Sequence, residues 1–154
     1  MSYDELIAAF GEKYGIENLT GKGGAAALVI DGVKVDIISD EAADSVVVYA
    51  EIGYPPPDAG GKFGETMLKA NHLFLGTNGG TLCQNPETDA YVLMRPVPLA
   101  QLEGAEAFGA ILEDVLGQVD NWRSLLNGMR AAEVTDGNQR EEAAQFATGG
   151  FMQV

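Results

Sequence analysis

Histidine, tryptophan and cysteine each occur once in 154 residues, and lysine and arginine together only nine times. Each scarcity excludes something. A single cysteine, Cys83, cannot form an intrachain disulfide, which fits a reducing compartment. A single histidine, His72, with no cysteine at ligand spacing, does not make a metal site. Nine basic residues against 23 acidic ones give a formal net charge of −14. Such a surface repels nucleic acid and anionic membranes and favours basic or amphipathic partners. No apolar run approaches the ~20 residues of a membrane span, and Asp4 and Glu5 stand where a secretory signal would be basic. The expectation is a cytoplasmic protein with no nucleic-acid partner and no membrane insertion.

What is present suffices for one domain. A chain of this length can bury roughly 70% of its unfolded surface, so neither a disulfide nor a metal is needed to fold it. Ser2-Tyr3-Asp4-Glu5 reads as a capping box, followed by Leu6, Ile7, Phe10 and Tyr14 at helical spacing, with Gly15 as the stop. The first helix is expected over residues 3–14. Residues 25–30 and 33–38 read as strands joined by Asp31-Gly32, the preferred dipeptide for a two-residue type I′ hairpin. Alternation puts Val33, Val35 and Ile37 on one face and Lys34 and Asp36 on the other. Residues 45–52 are rich in β-branched side chains and complete a three-stranded meander. Pro55-Pro56-Pro57 then stiffens the chain towards polyproline II.

Residues 67–99 hold three structural decisions. A helix over 63–75, apolar around most of its circumference, ends at Gly76; Gly79-Gly80 opens a strand at 81–84; a polar turn at 85–89 leads to a second strand at 90–95. A helix so apolar is buried in a core or in a subunit interface. The last helix is expected over 100–130, with Leu102, Phe108, Leu112, Val115, Val119, Trp122 and Leu126 on its apolar stripe. Residues 131–154 read as a loose C-terminal tail containing a short helix at 139–146. The order is α-β-β-β-α-β-β-α: an α+β fold in which helices pack a twisted antiparallel sheet, with residues 1–130 as the domain.

The sequence offers little chemistry. Gly60-Gly61-Lys62-Phe63-Gly64 lacks the glycine spacing and the Ser/Thr of a phosphate loop, and no strand leads directly into it. Cys83 lies in a predicted strand and reads as a small buried hydrophobe. A Cys83–His72 pair is open as a nucleophile and base, but nothing else completes a triad. The carboxylates fall on solvated helix faces. A binding protein without catalytic residues, metal or cofactor is the expectation.

The middle block carries a family resemblance. The helix end Leu68-Lys69-Ala70-Asn71-His72-Leu73-Phe74, then Gly79-Gly80-Thr81-Leu82-Cys83, a strand of large apolar residues and the Pro98-Leu99 step into the last helix resemble the type III secretion chaperones of the Tir chaperone (CesT-like) family. The likeness runs over roughly residues 2–129. It implies a homodimer formed through the second helix and its neighbouring strand. It also implies a partner, a secreted effector whose extended N-terminal segment is held soluble and secretion-competent without ATP. Carried over by position, the dimer surface would use Phe63, Met67, Asn71, Phe74 and Leu75. The effector grooves would use Leu6, Ile7, Phe10, Val33, Val35, Ile37, Val46 and Val48. The triple-proline loop and the long small-residue tail depart from the family pattern. Two alternatives stay open: an adaptor or regulatory domain of the same fold unrelated to secretion, and a small enzyme using Cys83 or the acidic residues.

Overall fold

A computed structural model describes residues 1–57 and 60–151, with side chains placed as far as Ala132. Helix α1 spans Tyr3–Tyr14 and starts on the predicted capping box: Glu5 N–H donates to Ser2 Oγ at 3.3 Å, and Ser2 N–H donates to Glu5 Oε2 at 2.7 Å. Gly15 closes the helix in the left-handed region. Strands β1 (Ala25–Ile30), β2 (Val33–Asp40) and β3 (Ser45–Gly53) form the expected antiparallel meander. Asp31 and Gly32 both take positive φ, as a type I′ turn requires.

Helix α2 covers Gly60–Asn71, β4 Thr81–Gln84 and β5 Tyr91–Pro98. The second hairpin joins the first through β5, giving the sheet order β1-β2-β3-β5-β4. Residues in register share a face. Val35, Ala50, Leu93 and Leu82 form one such row, and all four are buried. The next row, Asp36, Tyr49, Met94 and Thr81, lies on the opposite face and is half-buried.

Helix α3 runs Ala105–Phe151. It lies against β3, β5 and α1, and its stripe from Phe108 to Leu126 fills the core with Leu6, Ile7 and Phe10 of α1. Phe10 meets Phe108 edge-on, with ring centres 5.4 Å apart. Gly109 permits this docking, because a Cβ there would stand 2.0 Å from the Tyr14 hydroxyl. On the far side, Arg123 Nε donates to the Ile52 carbonyl at 2.7 Å and Nη2 to that of Glu51 at 3.1 Å, fastening α3 to the end of β3.

Two boundaries differ from the sequence reading. The predicted second helix stops at Asn71, and His72–Phe74 form a separate 3₁₀ turn. The last helix begins at Ala105, after a 3₁₀ turn at Leu99–Gln101 and a left-handed Gly104. It also continues through the segment expected to be a loose tail. Gln139 to Ala147 is rich in Glu, Gln, Arg and Ala, whose helix propensity outweighs Gly137 before it and the Gly149-Gly150 pair after it.

Candidate functional site

The eight residues expected to line effector grooves are brought together, but as the core of the chain itself. Leu6, Ile7 and Phe10 of α1 and Val33, Val35, Ile37, Val46 and Val48 of the sheet are each at most 6% exposed. They face one another across the helix–sheet interface, so none offers free surface to a partner in this arrangement. Strand alternation identified their face of the sheet correctly; α1 and α3 cover it.

The five residues expected at a dimer surface divide into two sets. Phe63 and Met67 point inward, and Phe63 packs 4.8 Å from the ring of Tyr91 and 5.9 Å from that of Trp122. Asn71 is half-buried and grips the sheet: its Nδ2 donates to the Leu82 carbonyl at 2.9 Å, and its Oδ1 accepts from the Leu82 N–H at 2.8 Å. One side chain thereby satisfies both backbone groups that Leu82, on the outermost strand, turns away from β5. Phe74 and Leu75, by contrast, stand 54% and 80% exposed.

Leu68 and Leu73, each 73% exposed, join them, and sequence reasoning did not select either. The run Leu73-Phe74-Leu75 directly before Gly76 was the available signal, since a helix ending at Asn71 swings those three residues off the packed face. Leu73 and Phe74 have φ of 52° and 57°. Large non-glycine residues in that region cost on the order of 1–3 kcal/mol each. Contacts at both ends hold the turn. Gly76 N–H returns to the Ala70 carbonyl at 3.0 Å, in a space where a Cβ would stand 2.7 Å from that of Ala70. Thr77 is buried and donates from Oγ1 to the Gly80 carbonyl at 2.7 Å. Asn78 Nδ2 donates to Asp114 Oδ2 on α3 at 3.1 Å, and the same oxygen pairs with Arg95 Nη1 on β5.

At the other end of the sheet, β1 has no strand beyond it among the described residues. Ile30 and Val33 flank the two-residue turn and pair with each other, so by alternation the N–H and C=O of Val29 and Ala27 face the free edge. Val29 is 69% exposed, and on the same face Ile38 of β2, opposite Ala25 at the other end of β1, is also exposed.

Burial raises the Cys83 thiol above its ordinary value, the opposite of what a nucleophilic thiolate needs. A cavity of about 620 Å³ beside the start of α1 is lined by Asp4, Lys22, Asp40, Glu41 and Asp44 among others, with neither Cys83 nor His72 in its wall. Among the described residues no cluster of His, Cys, Asp or Glu is placed to hold a metal ion, and no helix is long and apolar enough to cross a membrane.

Among the described residues, the α+β chain has one sheet edge tied by a side chain, one edge with no further strand, and an apolar turn exposed to solvent. Comparison supplies the family. Residues 5–123 match the Tir chaperone protein (CesT) family, and the chain belongs to it. Solved structures share the fold. A chain of the ExsC–ExsE complex superposes with a TM-score of 0.70 at 21% identity, covering 82% of this chain and 97% of that one. The HopA1–SchA chaperone–effector complex gives 0.67 at 17% identity over 79% and 93%. The Yersinia pestis type III secretion chaperone SycH, in complex with a stable fragment of YscM2, gives 0.62 at 15% over 79% and 99%. Comparison with curated protein sequences finds no match.

Proposed function

We propose that the protein is a homodimeric type III secretion chaperone of the cytoplasm. It binds the extended N-terminal segment of a secreted effector and keeps it soluble and secretion-competent without ATP. Family membership supports the class, and similar folds occur in a chaperone–effector complex and in a type III secretion chaperone bound to a protein fragment. The observation on this chain that carries the reading is its asymmetry. One end of the sheet offers an unpaired strand with apolar side chains beside it, and the other offers exposed Leu68, Leu73, Phe74 and Leu75.

An extended segment adds to a free edge through backbone hydrogen bonds, which tolerate varied sequence. The effector contact is therefore placed on the β1 edge with Val29 and Ile38. The eight core residues named above act from behind it, by fixing the sheet. The second copy is placed on the apolar turn, with Phe63, Met67 and Asn71 holding α2 in position. Charge favours this choice on a chain of net −14. The segment from Gly60 to Gly76 carries Lys62 and Lys69 against a single Glu65, so two copies meeting there do not bring clusters of carboxylates together.

Deleting the gene in the native bacterium should remove one protein from the type III-secreted fraction. That protein's N-terminal segment, purified with this chain, should form a stable complex whose mass by light scattering contains two copies of the chain. An unchanged secreted fraction would count against a secretion role, and a monomeric chain at all concentrations would count against the dimer.

A further inference from the structure

Leu73 and Phe74 adopt the left-handed region with their side chains in solvent, so burial within the protomer does not offset that conformation. Backbone bonds within the turn, from Leu75 N–H to the His72 carbonyl at 3.2 Å and from Asn78 N–H to the Phe74 carbonyl at 3.1 Å, are joined by side-chain ties at its two ends. Asn71 is clamped to Leu82 at one end. At the other, Asn78, itself at φ 47°, donates to Asp114, and the same Asp114 oxygen takes Arg95. Asp114 is thus shared by the apolar turn, α3 and strand β5. The Asp114 carboxylate has a side-chain exposure of 39% and Arg95 of 24%, so the pair is only partly open to water.

We propose that Asp114 is a positioning residue for self-association. By tying Asn78 to Arg95 it holds the turn in the one conformation that presents Leu73, Phe74 and Leu75 to a second copy of the chain. The inference rests on the homodimer reading above and adds the device that sets its affinity. Each dimer needs two turns in the competent conformation. If loss of the tie leaves each turn competent about one third of the time, the dissociation constant rises by the inverse square of that fraction, about tenfold.

The test compares the full chain with Asp114→Ala, Asn78→Gly, their double variant, Asp114→Asn and Val119→Ala. Asn78→Gly cuts the tie while keeping a residue that accepts positive φ. Val119→Ala thins the core of α3 without touching the turn. Dissociation constants come from sedimentation equilibrium and thermal stability from circular dichroism. Asp114→Ala and Asn78→Gly should each weaken the dimer about tenfold. The double variant should be no weaker than Asp114→Ala alone, because that change has already removed the Asn78 bond. Asp114→Asn keeps an acceptor for Asn78 and should fall between. Val119→Ala should lower the melting temperature and leave the dissociation constant unchanged. A wild-type dimer whose affinity survives both Asp114→Ala and Asn78→Gly would overturn the proposal while leaving the homodimer intact. So would a Val119→Ala variant that loosens as much as Asp114→Ala. A wild-type chain that is monomeric throughout would remove the homodimer reading and this inference together.

Discussion

The two ends of the sheet carry the same kind of strand and treat it in opposite ways. At β4 the outward backbone groups of Leu82 are taken by the Asn71 amide, and α2 lies alongside, anchored by Phe63 between Tyr91 and Trp122. At β1 nothing described covers the edge, and its exposed side chains are Ala25, Ala27 and Val29. An unprotected edge strand invites pairing with another chain, and proteins normally blunt it with charge, proline or a covering element. Here one edge is blunted with a dedicated side chain and the other is left open and nearly uncharged. In the function proposed above, the difference separates two roles: the sealed end would fix the surface offered to a second copy, and the open end would accept an extended segment.

Breaking the sealed end should have the largest effect. Asn71→Ala removes both hydrogen bonds to Leu82 and leaves a half-buried N–H and C=O without their partner. That costs about 3 kcal/mol, or about 6–12 °C in melting temperature for a domain of this size. Thermal unfolding by circular dichroism reads it directly. A loss within about 0.5 kcal/mol, the range of ordinary surface substitutions, would mean that the amide does not hold the edge closed. A second consequence sharpens the comparison. With β4 uncapped, the variant gains an open edge at both ends and should aggregate on warming where the wild type does not.

Much of this architecture was legible because its signals are local. The capping box at Ser2–Glu5, the Asp31-Gly32 turn and the alternation of Val33, Val35 and Ile37 each depend on residues within a few positions of one another, and the structure shows all three. The strand order was not legible. Nothing in residues 81–98 says whether β4 or β5 pairs with β3, since that is decided by how α2 crosses back over the edge. Nor could alternation tell core from groove: it names a face, while the path of α3 decides that the face is covered. The end of α2 escaped for a related reason. Leu73, Phe74 and Leu75 continue an apolar helical pattern, and only the pull of Asn71 on Leu82 shows why the helix stops before them. The continuation of α3 to Phe151 was masked by Gly137 and Gly149-Gly150, which weaken a helix without forbidding it.

Closing the open end should have a smaller effect on stability and a larger one on binding. Val29 turns its N–H to the free edge, so proline there removes a donor that no other strand uses. Val29→Pro should therefore cost only about 1 kcal/mol, from the fit of the ring to an extended backbone. It should nevertheless abolish capture of the effector segment, because an incoming strand would lose a ladder hydrogen bond and meet the ring. Isothermal titration with that segment, alongside the melting temperature, separates the two effects. Full affinity in Val29→Pro would move the effector contact away from β1.

The smallest expected effect concerns the first turn of α1, which is tied to the open half of the sheet through the buried Tyr3 hydroxyl donating to the Ile37 carbonyl at 2.8 Å. The Glu5 carboxyl sits below its usual 4.5, mainly because it accepts the Ser2 backbone N–H and secondarily through the Ser2 side chain. A carboxyl whose folded value is lowered contributes stability that is present above its unfolded value and lost as pH falls through the folded one. The capping box should therefore hold at neutral pH and loosen only below about 4.5, where the Ser2 and Glu5 amide resonances should shift together. In Glu5→Gln the neutral amide still reaches Ser2, and that titration should vanish while the first turn stays folded. A midpoint at or above 4.5 in the wild type would mean that the carboxylate is not held by Ser2 in solution. The first turn of α1 would then be fixed by the Tyr3 bond to Ile37 and by the core packing of Leu6 and Ile7, without the capping box.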